Sequence, residues 1–423
     1  MKSMDNGQLK IGNSCFPKGW EIKKFGEVCE IINGGTPKSK VANYWGGDTQ
    51  WVTPKDLGKL NGRYIDNTPR KISELGLKKS SAKLFPARSV ILSTRAPIGH
   101  LAINLVEMST NQGCRGIVPG RNLFTEYLYF YLLNSVDLLN NLGTGATFKE
   151  LSTNALKSVE VPIPPLPEQK RIVAILDEAF AGISQAVANT EKNLANAREL
   201  FESYLNNVFT QKGDGWVEKK LGDTGLLQIV DGDRGTNYPN KTDFSDNGFC
   251  LFLNTKNVRP DGFNFENKMF ITEEKDNALR KGKLQRRDVL LTTRGTIGNI
   301  AIYDDSVEYD HIRINSGMLI FRPNESVITS EYLFEIMRSS IMKEQIVKFT
   351  SGAAQPQLPI KTLVNFTLPV PVSIKEQEEM VSCLRKLLQQ TQRLETIYLQ
   401  KLAALAELKQ SILQKAFSGE LAA

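Results

Sequence analysis

The 423-residue sequence predicts an α+β chain built from one unit used twice. Each unit is a mostly-β module with small helices, followed by one long helix. Three observations predict this: an ordered set of repeated motifs, irregular β patterning in each half, and a long apolar stripe closing each half. The repeats run in the same order in both halves. Gly-Trp stands at 19–20 and 215–216, ILSTRAPIG (91–99) is answered by LLTTRGTIG (290–298), and NQG (111–113) by NSG (315–317). GATFKEL (145–151) is answered by GAAQPQL (352–358), and VPIPPLPEQ (161–169) by LPVPVSIKEQ (368–377). The offset grows from 196 at Gly-Trp to 208 at Glu-Gln, so this is a duplicated unit with small insertions rather than a short-period solenoid.

The elements follow in order. Residues 1–14 read as a polar, poorly ordered tail. Short apolar runs at 28–32, 50–53, 90–93, 101–105 and 116–118 alternate with Gly, Pro and Asn turns, which predicts strands with long loops. Residues 125–142 carry apolar positions at helical spacing: Leu128, Tyr131, Leu132, Val136 and Leu139. In the second half the strands are expected at 226–230, 249–253, 289–292, 299–303 and 318–321, and the matching helix at 330–349.

After each proline-spaced stretch the period changes. From 168 to 209 the apolar seam is Ile172, Ile175, Ala179, Ile183, Ala186, Leu194, Ala197, Phe201, Tyr204 and Val208, with Thr190 in the remaining slot. From 376 to 417 it is Val381, Leu384, Leu388, Thr391, Leu394, Tyr398, Leu402, Leu405, Leu408, Ile412 and Ala416. Steps of three and four sustained this long make a coiled-coil seam. Each helix would span roughly 60 Å at ~1.5 Å per residue and needs a partner for its stripe. The other helix is the nearest partner, and dimerisation between chains is the alternative. The expected domains are 1–166, 167–212 (helix), 213–373 and 374–423 (helix).

Composition, at 41% hydrophobic and 23% charged, is that of an ordinary globular protein. Five scattered cysteines without a C-x-x-C pair fit reduced thiols. The N-terminus lacks the apolar core of a signal peptide, and no run approaches 18 continuous apolar residues. A cytoplasmic location without membrane contact is expected. The net charge of +7 is uneven: +8 over 1–166, −1 over 167–212, −1 over 213–373 and +1 over 374–423. A basic first module suits a polyanion. In the second, the bases cluster at Arg280, Lys281, Lys283, Arg286, Arg287 and Arg294.

The repeated Thr-Arg pairs, Thr94-Arg95 and Thr293-Arg294, each end an apolar strand before a Gly-containing turn. Such an arginine can fork onto guanine or phosphate oxygens, with hydroxyls beside it; bridging loop carbonyls is the structural alternative. The loop 34–40 offers backbone amides with Thr36, Lys38 and Lys40, as a phosphate cradle would, and its counterpart 231–236 keeps Gly and Arg234 but adds two acids. Lys55-Asp56 aligns with Lys256-Asn257, the latter preceded by Asn254, and amide or acid side chains there can meet adenine or cytosine edges. Asn111, Gln112 and Asn315 lie in the repeated NQG and NSG segments. Surface turns and solvated loops are the alternatives.

Catalytic signatures do not emerge. The two histidines, His100 and His311, are at unmatched positions, and there is no Cys/His cluster and no phosphate-loop consensus. Gly143-Thr144-Gly145 lacks the further glycine of a dinucleotide fingerprint, and no Asn/Asp-Pro-Pro-aromatic tetrapeptide occurs. Pro260-Asp261 with Glu266 and Lys268 looks like a nuclease signature, but its spacing is very short and the first module has no equivalent.

Together these segments resemble the specificity subunit of type I restriction-modification systems. The resemblance runs from Gly19 to Leu421 and rests on GGTP, STRAPIG with TTRGTIG, NQG, GATFKELS through VPIPPLPEQ, and the closing LFESYLNNVFTQ and LKQSILQKAFSG. It implies two target recognition domains, each reading one half of a split asymmetric double-stranded DNA site. It also implies two long antiparallel coiled-coil helices in a pseudo-two-fold arrangement that fix the spacer between halves. The implied partners are two methyltransferase subunits, which two restriction (motor-nuclease) subunits can join. Those partners would hold S-adenosylmethionine, ATP and Mg; this chain would bind no cofactor and no metal and carry no catalytic residue. The DNA-binding residues expected are those singled out above: Thr36, Lys38, Lys40, Lys55, Asp56, Thr94, Arg95, Asn111, Gln112, Arg234, Asn254, Lys256, Asn257, Thr293, Arg294 and Asn315. A fused nuclease-methylase specificity subunit shares this architecture, and a coiled-coil scaffold without a DNA role is the rival of another class.

Overall fold

The structure, a computed structural model, describes residues 2–5, 8–11, 14–145, 149–213, 215–350 and 356–421. It forms two compact units, residues 1–190 with 400–423, and residues 191–399.

In the first unit the strand Val90–Thr94 is buried along its whole length. The apolar run 90–92 makes this possible where both faces are covered, and the Ser93 and Thr94 hydroxyls, buried after it, turn to the Pro97 and Gly113 carbonyls. Val90 and Leu92 face a core with the helix Thr125–Asn134, while Ile91 faces a second core with Val52, Phe85 and Met108. Around it runs a five-stranded sheet in the order Cys29–Asn33, Cys114–Pro119, Val90–Thr94, Ile98–Asn104, Tyr64–Ile65. A smaller sheet orders Met108–Thr110, Trp45–Val52 and Lys71–Ile72.

The second unit repeats the plan. Its main sheet orders Leu227–Asp231, Met318–Pro323, Val289–Thr292 and Ile300–Ile302, and its smaller sheet orders Phe270–Ile271, Cys250–Leu253 and Ile312–Ile314. Val289 and Leu291 face one core and Leu290 the other, the same division as in Val90–Thr94. In each unit the smaller sheet contains one parallel pair, Trp45–Val52 with Met108–Thr110 and Cys250–Leu253 with Ile312–Ile314. A parallel pair needs a long crossover, so the intervening chain is free to form loops.

Each single small helix expected from periodicity is two helices. Thr125–Asn134 and Val136–Leu142 part at Ser135, and Ser330–Arg338 and Ser340–Phe349 part at Ser339. Both serine hydroxyls donate to a preceding helical carbonyl, of Tyr131 and Ile336 respectively. A serine that bonds its own backbone competes with helix propagation, which apolar spacing does not register. The expected tail also differs: Lys2–Asp5, Gln8–Ile11 and Ser14–Phe16 pair as antiparallel strands. The Asn6-Gly7 and Gly12-Asn13 pairs in the sequence are hairpin signals that polarity alone overlooks.

The long helices span Leu166–Thr210 and Ile374–Ser418, 45 residues each. Within the first unit the start of one lies on the end of the other: Ile172 and Leu176 share a core with Leu413, Ala416 and Phe417, and Arg171 donates to the Leu421 carbonyl. Within the second unit Phe201, Leu205 and Phe209 share a core with Val381 and Leu384, and Arg198 meets Glu395 at 3.2 Å. The pairing is antiparallel within the chain.

The expected seam holds at Ile172, Ile183, Thr190, Leu194, Ala197 and Phe201 of the first helix and at Val381, Leu384, Thr391 and Ala416 of the second. Elsewhere it is half-buried, shifts by one residue or opens to solvent. Leu205 and Phe209 are buried where Tyr204 and Val208 were expected, and Leu413 and Phe417 join the expected Ala416. Leu394 and Leu408 are exposed. An α-helix drifts by about 20° per heptad, and towards its ends each helix packs on a globular module as well as on the other helix. Phe209, for example, meets Tyr332 edge-on at 5.5 Å. By length and composition alone Leu166–Thr210 could cross a membrane, one window reaching a mean hydropathy of 1.2. Its apolar residues lie on one stripe, however, and Ile172, Val173 and Leu176 are part of the first core.

Candidate nucleic-acid interface

In each unit the same loops converge at the ends of the central strands. Asn111 N–H donates to the Val52 carbonyl (2.9 Å) and Thr94 N–H to that of Gly113 (2.8 Å). In the second unit Asn315 N–H donates to Leu253 (2.9 Å) and Thr293 N–H to Gly317 (2.8 Å). The Asn111 and Asn315 side-chain oxygens accept from the N–H of Gly113 and Gly317 at 3.0 and 2.9 Å, closing identical Asx turns. Leu151 and Leu358 N–H donate to the Thr94 and Thr293 carbonyls, bringing in the loops that follow the small helices. Gly34 and Gly232 lie so close to this turn that a Cβ would fall 1.9 Å from the Asn111 oxygen and 2.3 Å from that of Asn315. Glycine is required there by approach, not by dihedral angle.

The framework therefore holds several of the expected residues inside. Thr94 and Thr293 are buried, with their hydroxyls toward the Gly113 and Gly317 carbonyls. Asp56 Oδ2 accepts from the N–H and hydroxyl of Thr53 (2.9 and 2.7 Å), a helix-capping role. Asn257 takes the same place: its Oδ1 accepts from Asn254 N–H (3.0 Å), and its Nδ2 donates to the Asn264 and Asn267 carbonyls while the side chain is buried. Asn254 caps its own turn through Lys256 N–H at 2.8 Å.

The remaining residues are exposed around this frame: Thr36, Lys38, Lys40, Lys55, Arg95 and Gln112 in the first unit, Arg234, Lys256 and Arg294 in the second. Thr36 donates to Gln112 Oε1, which ties the glycine loop to the NQG turn. Arg234 reaches Asp231 (3.1 Å) and the Ser316 carbonyl (3.4 Å), the equivalent tie. The two arginines differ in surroundings. Each pairs through its backbone with the loop that follows the small helices, Arg95 with Glu150 and Arg294 with Gln357, but only Arg95 thereby faces a carboxylate, at 3.9 Å. Of the repeated GATFKEL and GAAQPQL segments, 146–148 and 352–355 lie outside the described residues.

The loops are anchored differently beneath. Trp51 Nε1 donates to the Gly35 carbonyl (2.9 Å), and Arg70 stacks on Trp51 (4.6 Å). In the second unit Asp233 holds the loop by accepting from the N–H groups of Gly235, Arg280 and Lys281 at 2.6, 2.6 and 3.2 Å. Burial alone would raise the Asp233 carboxyl; the three N–H donors outweigh it and hold it below the usual carboxylate value. Burial pushes the Cys29 and Cys250 thiols up to about 12, which leaves them unreactive core residues. Among the described residues no group of three or more His, Cys, Asp or Glu could hold a metal ion. Pro260 and Asp261 form the turn between the strands Val258–Arg259 and Gly262–Phe263.

One duplicated pair was visible as a motif without a role. Gln169 and Gln377 are fully buried at the start of the long helices. Gln169 Nε2 donates to the Asn122 and Pro164 carbonyls and its Oε1 accepts from Phe124 N–H. Gln377 does the same with Val327, Pro371 and Thr329 N–H. The repeated Glu-Gln in the sequence was the signal; only the fold shows that its second residue clamps the helix to its module.

A family model described as the type I restriction modification DNA specificity domain matches residues 17–193 and again residues 213–404. The chain belongs to that family. Both copies of the specificity domain contain the loop frame just described. The MjaIX type I restriction enzyme specificity subunit of Methanocaldococcus jannaschii is 29% identical over 371 residues, covering 84% of each chain. A structure from work on assembly and conformational transition of the type I restriction-modification system aligns at a TM-score of 0.73 and 21% identity, over 96% of this chain and 99% of that one. The HsdS subunit from Thermoanaerobacter tengcongensis aligns at 0.65 and 21% identity, over 97% and 99%. These two likenesses establish the shared fold.

Proposed function

We propose that this specificity protein is the non-catalytic sequence reader of a type I restriction-modification complex, each module reading one half of a split, asymmetric duplex site. One observation carries the reading: the same loop frame is built twice from matching hydrogen bonds, while the exposed side chains around it differ. A shared frame with different tips is what two readers of different half-sites need. Exposed Lys38, Lys40, Lys55 and Lys256 would meet phosphates and set register; Arg95, Gln112, Arg234 and Arg294 would reach base edges. Thr36 belongs with them as the tie to Gln112. The buried Thr94, Thr293, Asp56 and Asn257, and the turn-closing Asn111, Asn254 and Asn315, would act by placing these tips.

The long helices would fix the spacer and dock two methyltransferase subunits, with restriction subunits added in the full complex. S-adenosylmethionine, ATP and Mg would reside on those partners. Two modest readers on one chain gain affinity through effective concentration and demand both half-sites. Methylated-base mapping of cells expressing the neighbouring methyltransferase, with and without this chain, tests the reading. The expected result is an N6-methyladenine mark at a split motif that vanishes without the chain. An unchanged mark, with the complex assembled, would transfer the reader role elsewhere.

A further inference from the structure

We infer that the duplex-binding surface of each module extends from the glycine loop onto a second basic segment, Arg280-Lys281 in the second unit and Lys79 with Lys83 in the first, which contact DNA phosphates. The inference rests on the DNA-reading function proposed above.

The basic run of the second unit sorts into two classes. Lys283 Nζ is 2.5 Å from the buried Asp276 carboxylate. Arg286 donates to the Asp304 and Val307 carbonyls, meets Asp310 at 2.9 Å and stacks on Tyr303. Arg287 pairs with Glu325 and Glu331, both at 2.9 Å. These three charges are neutralised within the fold. Arg280 and Lys281 are exposed; the Arg280 charge acts on the Asp233 carboxylate beneath the loop without a close ion pair, which leaves its guanidinium open to solvent.

Their backbone, by contrast, is firmly held. Arg313, buried, donates to the carbonyls of Asp276, Leu279 and Lys281, and its Nε donates to Asp276. From the other side Asp233 accepts the N–H of Arg280 and Lys281. The segment lies directly against the loop: a Cβ on Gly235 would fall 2.6 Å from the Arg280 guanidinium, and one on Gly282 3.2 Å from Gly232. Arg234, in that same loop, reaches Ser316.

The first unit repeats the juxtaposition with other residues. There a Cβ on Gly35 would fall 2.2 Å from the backbone nitrogen of Ala82 and 2.4 Å from Ser81. The flanking Lys79 and Lys83 are exposed, and again no ion pair is recorded for them among the described residues. In both units the segment follows a short capped helix, Glu74–Lys78 and Glu273–Ala278. A fixed backbone bearing exposed cations beside a glycine loop suits a fixed polyanion such as a phosphodiester chain, because little further ordering is required on contact.

The test uses the full chain assembled with its methyltransferase subunits and its cognate duplex. Binding is measured against salt for R280Q/K281Q and for K79Q/K83Q, with phosphate-ethylation interference mapping each contact. Each lost phosphate contact should lower the slope of log K against log salt by about 0.9, so about 1.8 for each double variant. Interference should disappear beside one half-site for R280Q/K281Q and beside the other for K79Q/K83Q. The inference is overturned if slope and interference pattern stay as in the unaltered chain, even where Tm falls, since that marks a role confined to the helix ends. It is equally overturned if R286Q, which removes a charge already neutralised, lowers the slope as much, since that marks a net-charge effect. Absence of sequence-dependent binding by the unaltered complex would instead remove the functional reading and this inference with it.

Discussion

At the residue scale, the two Thr-Arg pairs show how one motif divides its labour. The threonine turns inward to the neighbouring turn and the arginine stays in solvent. Arg294→Ala should weaken binding of the assembled complex by about 1–3 kcal/mol on duplexes carrying one particular half-site, if it reads a base. Fluorescence anisotropy with each half-site altered in turn checks this; equal loss on every sequence marks a phosphate contact instead. Arg95 differs because Glu150 stands beside it. Removing that carboxylate with Glu150→Gln should raise affinity at low salt, as the arginine no longer has a competing partner, and a loss of affinity would show that Glu150 orients Arg95. A second residue-scale expectation concerns acid. Burial opposes the Asp276 carboxylate, but Lys283 and Arg313 outweigh it and hold its pKa below the ordinary 3.8. A lowered folded pKa gives stability that is present above the unfolded value and lost as pH falls through the folded one. The Tm gap between the unaltered protein and Asp276→Asn should therefore narrow below about pH 4, and parallel curves by calorimetry would contradict the assignment.

At the element scale, the start of each long helix is fixed by a buried glutamine. The three hydrogen bonds of Gln377 tie a strand end, a helix cap and the first helical turn together. Gln377→Ala leaves an N–H and two carbonyls without partners. A loss of roughly 3 kcal/mol is expected, from about 1 kcal/mol or more for each group left unsatisfied, read as a lower midpoint in denaturant. Gln169→Ala should behave alike, because its bonds are the same. A change within a few tenths of a kcal/mol would mean that water replaces the amide. The strands themselves were legible, since Val90–Thr94 and Val289–Thr292 open on the apolar runs 90–92 and 289–291. The breaks at Ser135 and Ser339 were not, because a hydroxyl bonding its own helix leaves no trace in apolar spacing.

At the scale of the whole molecule, the two long helices carry the expectation about spacing. Deleting one heptad, 191–197, together with a matching heptad around Glu395, the partner of Arg198, should change the preferred spacer length in methylation maps while leaving each half-site sequence alone. An unchanged spacer would separate the helices from that role. The sequence by itself determined the duplication, the strand-rich modules, the two long helices and the family, since repeats and periodicity are properties of the chain written in order. Tertiary structure alone decided which repeated polar residues face inward. Thr94, Asn257 and Gln377 look like ready donors and acceptors in sequence, yet each is held by backbone groups. The partners of Thr94 and Gln377 include Gly113 and Val327, far along the chain, and those of Asn257 lie in the loop after its turn; buried backbone groups must be satisfied wherever the fold leaves them, so local sequence cannot say which side chain answers.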